Sequence, residues 1–177
     1  MKSLIAAVAL LAASLSATAQ DYTNQKIAVG QQAPEIEEQN PQGETLKLSE
    51  ISKDRIVFLD FWASWCPPCR HASPEVVALY NKYKDAKFRN AKKGFTIVSV
   101  SLDKQKEPWV EAVAQDGLLW PYHLSDLGGW RSQAAATYGV QSIPQSFLIG
   151  PDGKVIAKYS YGQHPDQDLE KLLRKKH

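Results

Sequence analysis

Cysteine is scarce in this sequence, with two among 177 residues, Cys66 and Cys69. A bridge across so short a loop adds little chain-entropy stabilisation, and a domain of this length needs no such staple. A third soft ligand at fixed spacing is missing, so a copper or zinc centre would have only Cys66, Cys69 and His71 to draw on. Arg70 stands where covalent haem attachment through Cys-X-X-Cys-His needs a histidine, which excludes that chemistry. A strong charge of one sign is also lacking. The formal net charge is +2, which argues against a nucleic-acid partner. The apolar run Leu4 to Ala13 is ten residues, short of the roughly 20 that a spanning helix needs. Internal repeats and a second domain are absent, and 44% hydrophobic with 23% charged residues suits one domain with a full core.

The N-terminus has the layout of a secretory signal. Lys2 is a short basic region, Leu4 to Ala13 the apolar region, and Ala17-Thr18-Ala19 an A-x-A cleavage site before Gln20. Residues 1–19 are therefore read as a signal peptide cleaved after Ala19, the alternative being an uncleaved anchor. No cysteine lies near the cleavage point, so a lipoprotein anchor is not available. Residues 20–28 read as a flexible lead-in and 29–177 as the folded domain. The expected location is outside the cytoplasm, in a periplasm.

Both cysteines fall in Leu59-Asp60-Phe61-Trp62-Ala63-Ser64-Trp65-Cys66-Pro67-Pro68-Cys69-Arg70. The apolar run into Phe61 reads as a buried strand, and the residues after Cys66 read as a helix to about Tyr83, with Pro74 inside it. A Cys-X-X-Cys at a strand-to-helix junction puts the first thiol at a helix N-terminus. There the free N–H groups and the dipole favour the thiolate, the form that attacks disulfides. Cys66 is thus the expected nucleophile, exposed and of lowered pKa. Cys69, one turn inside, is the expected resolving thiol. Pro67 suits the first helical position, where its missing N–H costs nothing. Neither Pro67 nor Pro68 supplies a cation between the cysteines, which leans toward a reductant.

Elsewhere, Glu35–Glu38 and Glu44–Leu48 read as a hairpin around Asn40-Pro41-Gln42-Gly43, followed by a short helix capped by Ser49. Phe95–Leu102, Ser146–Ile149 and Lys154–Tyr159 read as strands, the last two joined at Gly150-Pro151-Asp152-Gly153. Helices are expected from about Glu107 to Gln115, Trp130 to Tyr138 and Asp166 to Lys176. The basic stretch 82–93 reads as a solvated helix end rather than an anion site. His123, His164 and His177 read as surface histidines, and Trp109, Trp120 and Trp130 as structural.

From Asp60 to Cys69 the sequence resembles the thioredoxin superfamily. The longer layout from Val29 onward is similar to the secreted TlpA/ResA-like thiol-disulfide oxidoreductases. The resemblance implies an α/β thioredoxin-like fold, a central mixed sheet flanked by helices, with an N-terminal β-hairpin extension. It implies a buried Asp60 of raised pKa acting as base toward Cys69, and a cis Pro144 packed against the dithiol. Ile143 would then offer its backbone to an extended substrate, with Trp65, Pro67 and Pro68 as further substrate contacts and Trp62 packed beneath. Ala72 stands where many such relatives carry a glutamate, and Gln145 where threonine is usual. No cofactor is expected beyond the redox-active Cys66–Cys69 disulfide. Expected partners are protein disulfides or dithiols, apocytochromes c among them, and a membrane thiol-disulfide protein that renews the redox state of a monomer. Two alternatives stay open: a metal-binding module through Cys66, Cys69 and His71, and a thioredoxin-fold peroxidase. The chain lacks the Pro-X-X-X-Thr-X-X-Cys setting of the latter.

Overall fold

The computed structural model describes residues 24–174, so the expected signal peptide lies outside the described residues. Strand β1 (Glu37–Gln39) pairs antiparallel with β2 (Thr45–Lys47). Asn40 shapes the turn between them, its Oδ1 accepting the N–H groups of Gln42 at 3.0 Å and Glu44 at 2.9 Å. Helix α1 (Leu48–Ser52) follows at once. Ser49 does not cap it. Ser49 lies inside the helix, and its N–H donates to Glu35 Oε1 at 3.0 Å, so an upstream carboxylate serves the helix start.

The main sheet has the order β5-β4-β3-β6-β7. Strand β3 (Ile56–Trp62) lies at its centre, parallel to β4 (Phe95–Ser101) and antiparallel to β6 (Gln145–Ile149). Strand β5 (Tyr122–Leu124) continues parallel from β4, and β7 (Val155–Ser160) antiparallel from β6. Every residue of β3 except Asp60 is buried, and every residue of β4 is. Strands covered on both faces read as such near-continuous apolar runs.

Residues on β3 alternate between the two faces. Phe61 points to one, where it packs on Tyr138 and Phe147 at centroid distances of 5.5 and 6.0 Å. Asp60 and Trp62 point to the other, beneath helix α2 (Pro67–Tyr83), which runs through Pro74. At the far end of α2, Tyr83 packs with Phe88 and Phe95, so the dithiol and this aromatic cluster occupy opposite ends of the sheet.

Helix α3 (Lys106–Gln115) buries Trp109. The segment 130–138 is not one helix. A 3-10 turn (Gly129–Arg131) and helix α4 (Gln133–Tyr138) are separated by Ser132, whose Oγ accepts the Ala135 N–H at 3.2 Å. An N-cap serine at that position favours a fresh helix start over continuation. Ser132→Ala is expected to lower stability by about 1 kcal/mol, read as a shift in the denaturation midpoint at unchanged slope.

Helix α5 (Asp166–Leu172) is shorter than the expected 166–176. Its end is drawn into other pairings: Arg89 N–H donates to Leu172 O at 2.9 Å and Arg174 N–H to Lys87 O at 2.8 Å. The described part of the lead-in, 24–28, is packed rather than loose. Ile27 is 1% exposed, and the Asn24 side-chain amide donates to Tyr138 O at 2.7 Å. Burying one large aliphatic side chain, with Lys158 Nζ tied to the Ile27 carbonyl at 2.8 Å, outweighs the polar composition of the stretch. Just beyond, Gly30 N–H donates to Val155 O and Val155 N–H to Gln31 O, so residues 30–33 lie along the residues that lead into β7 and along its first residue. At the other edge Gln39 bridges Ser125, next to β5.

Candidate active site

Cys66 is the N-cap of α2, in extended conformation, and Pro67 begins the helix. Cys66 and Cys69 are joined as a disulfide with their Cα atoms 5.3 Å apart. Among the first three helical residues two are prolines without an N–H, which leaves Cys69 as the donor of that turn. Its N–H is aimed at Cys66 Sγ at 3.2 Å. The 17-residue helix therefore presents its dipole and one directed N–H to this sulfur.

Cys66 is not exposed as expected: it is 4% accessible, as is Cys69. The loop before β6 covers it. The Ile143–Pro144 bond is cis, and Cys66 Sγ lies 3.7 Å from the Ile143 carbonyl oxygen. Pro67 and Pro68 are exposed at the helix start, Trp65 is half exposed, and Trp62 is buried.

Asp60 reaches the dithiol from below. It lines a narrow cavity of about 20 Å³ together with Trp62, Cys69, Ala72, Ser73 and Pro144, room for about one water. A second hollow of about 50 Å³ opens on its other side, toward Ser146, Glu75 and His164. Ala72 lines both, so the spaces lie where its side chain stops at one methyl. Desolvation pushes the Asp60 carboxyl up to about 7 from an ordinary 3.8. In register beside it stand Ser99 on β4 and Ser146 on β6, and beyond Ser99 lies His123. His123 is buried against Trp120, not on the surface, and burial lowers its pKa to about 4. It is neutral at any ordinary pH.

Residues 29–158 match the AhpC/TSA family. The chain belongs to that family. Among its relatives, the thiol-disulfide oxidoreductase ResA of Bacillus thuringiensis is 34% identical over 151 residues, covering 85% of this chain and 80% of the relative. A thiol-disulfide oxidoreductase from Bacteroides fragilis superposes with a TM-score of 0.70 at 33% identity, covering 81% of this chain and 100% of that one. The thioredoxin domain of a thiol-disulfide oxidoreductase from Bacteroides vulgatus gives 0.70 at 30% identity, covering 84% and 99%. This AhpC/TSA member is a thiol-disulfide oxidoreductase of thioredoxin-like fold.

Two polar clusters hold the dithiol loop of this AhpC/TSA protein, and the local sequence signals neither. Arg70 forms a bidentate pair with Asp116, Nε to Oδ2 at 2.6 Å and Nη2 to Oδ1 at 2.7 Å, and also donates to Ser64 O at 3.2 Å. Ser73 Oγ donates to Asp116 Oδ2 at 2.8 Å. Burial would raise Asp116, yet the Arg70 and Ser73 hydrogen bonds hold it below its usual value. On the other side buried Asp103 accepts the Ser64 N–H at 2.9 Å and the Ser101 hydroxyl at 2.6 Å. Arg70 and Asp116 are 46 positions apart, and Ser64 and Asp103 are 39. No local pattern joins them.

His71 is exposed on α2, whereas both cysteines are buried. Among the described residues no group of three His, Cys, Asp or Glu side chains is placed to hold a metal ion, and no helix is long and apolar enough to cross a membrane.

Proposed function

We propose that this oxidoreductase works outside the cytoplasm as a reductant of protein disulfides. Its signal peptide, residues 1–19, would be removed after Ala19, and the mature chain would act as a monomer with no cofactor beyond its own cysteines. In the reduced enzyme the Cys66 thiolate attacks a substrate disulfide. An S–S bond forms to Cys66 and the first substrate thiolate leaves. Cys69 then gives its proton to the Asp60 carboxylate as its sulfur attacks Cys66 Sγ. The second substrate thiolate departs, so the substrate gains two electrons and the enzyme becomes the Cys66–Cys69 disulfide. Pro144 and the Ile143 backbone hold the substrate chain at Cys66, with Trp65, Pro67 and Pro68 at the surface it meets. A membrane thiol-disulfide protein restores the dithiol, and apocytochromes c are among the substrates, with redox homeostasis of the compartment as the wider role.

The observation that carries this reading is the shared cavity of Asp60 and Cys69. A carboxylate of raised pKa beside the inner sulfur suits a base that accepts a proton near neutrality. The sparse stabilisation of Cys66, a single first-turn N–H, favours reductant over oxidant, because strong oxidants owe their potential to a stabilised reduced form.

The test is the reduction potential of the Cys66–Cys69 pair, measured by equilibrating the protein in graded thiol/disulfide buffers. A value toward roughly −270 mV is expected; one toward roughly −120 mV would make the protein an oxidant. Absence of a two-electron transition would overturn the exchange chemistry. Peroxide turnover needing Cys66 alone would indicate a peroxidase instead.

A further inference from the structure

Trp130 was expected to be structural, and it is not buried. It is 50% exposed, and Trp65 is 48% exposed, whereas Trp109 is 2% and Trp120 3% exposed. The two exposed rings face one another, with centroids 6.1 Å apart at an angle of 57°. Beside this ring pair opens a groove of about 590 Å³, lined also by Ser64, Asp103, Lys104, Gln105, Pro108 and Gly129.

Both indoles are fixed in place. The Trp65 indole N–H donates to Leu102 O at 3.2 Å. The turn that carries Trp130 is held by Asp126, whose carboxylate accepts the N–H groups of Gly128 and Gln133 at 2.8 Å each. Gly129 adopts φ +58°, and a Cβ there would come within 2.8 Å of the Lys104 side chain, so glycine lets the turn close onto that side chain. Half-exposed, rigid indoles beside a concavity are what anchor-binding surfaces are built from.

We propose that this groove seats a bulky apolar side chain of the substrate polypeptide, from a residue next to the cysteine that Cys66 attacks, and so sets substrate preference. The inference rests on the reading that the substrates are protein disulfides. Continuity with the dithiol names the occupant. Ser64 and Trp65 line the groove and directly precede Cys66, and Ile143 lies on the other side of that sulfur, so a chain attached to the attacked sulfur would leave it across this surface or across Ile143. The paired indoles favour an apolar guest, and the Asp103 carboxylate, taken by Ser64 and Ser101, offers no free partner to a cationic one. Trp130 touches neither sulfur; it is a specificity residue.

The experiment uses the reduced full-length protein and three oxidants. Two are peptides whose single cysteine is bridged to glutathione, one flanked by tryptophan and leucine and one by serine. The third is hydroxyethyl disulfide, which has no polypeptide. Trp130→Ala is expected to raise KM about tenfold for the apolar peptide with kcat within about twofold, and to leave the other two unchanged. Trp130→Phe should restore most of the affinity. Equal losses on all three oxidants, or no loss on the apolar peptide, would overturn the proposal. So would a wild-type dimer that Trp130→Ala dissolves in sedimentation, since the groove would then hold a second copy. Turnover of hydroxyethyl disulfide by the wild type keeps the exchange chemistry standing whichever way the groove fares. Its absence would sink the proposed function itself.

Discussion

Cys69→Ser is expected to trap the enzyme on its substrate, and Cys66→Ser to bring exchange down to the uncatalysed background. The two sulfurs are equally buried, so accessibility does not separate them; their places on the helix do. Cys66 is the N-cap and receives the Cys69 N–H, which favours its thiolate. Cys69 lies inside the first turn, over the cavity it shares with Asp60. With serine at 69 the first attack proceeds and no second sulfur can expel the substrate, so a covalent complex accumulates on non-reducing gels and dissolves on adding dithiothreitol. With serine at 66 no complex forms. If the Cys66→Ser variant trapped substrate and Cys69→Ser did not, the assignment of nucleophile and resolving thiol would be reversed.

The second large effect is expected from Asp60→Asn, and it depends on pH. The carboxyl has an ordinary value of 3.8 when unfolded and about 7 in the fold, raised by desolvation. Between those values the folded protein keeps a proton that the unfolded chain has released, so stability falls as pH rises from about 4 to about 7. Below about 4 both states are protonated and the site costs nothing; above about 7 the penalty is complete. Asparagine is uncharged throughout. The variant should match the wild type at pH 4 and exceed it by roughly 2–4 kcal/mol at pH 8, in denaturant titrations with the disulfide kept intact. The same substitution should slow release of the mixed disulfide on the order of 10²-fold and remove the ionisation near 7 from its pH profile. A stability gain that is equal at pH 4 and pH 8 would mean that the carboxyl is not held neutral by burial.

The two predictions draw on parts of the molecule that were legible to different degrees. The strand into Phe61, the turn through Trp65 and the helix after Cys66 form one local unit, with proline and N-cap in sequence order, so the dithiol site could be read directly. Asp60 and Pro144 were legible only through the resemblance, because an aspartate in an apolar strand and an Ile-Pro pair say little alone. Arg70 with Asp116, and Ser64 with Asp103, were not legible, since each pair is assembled by the packing of α2 and the end of β4 against the loops around α3. Trp130 was misread for a related reason. Whether an indole is covered depends on what the fold lays over it, and this one, on the 3-10 turn before Ser132, is left half exposed. The lead-in erred the other way, its polar residues hiding the anchors at Asn24 and Ile27.

Residues 30–33 also bear on how the molecule behaves in crowded solution. A bare outer strand is a template on which like sheets add to one another. Here the upstream segment occupies the outer hydrogen-bonding groups from Gly153 to Val155, so the start of β7 is not free to pair. At the opposite side β5 offers only the three residues Tyr122–Leu124, with the Gln39–Ser125 bridge beside them. The stretch before the hairpin thus shields the first residue of that edge strand from sheet-to-sheet addition.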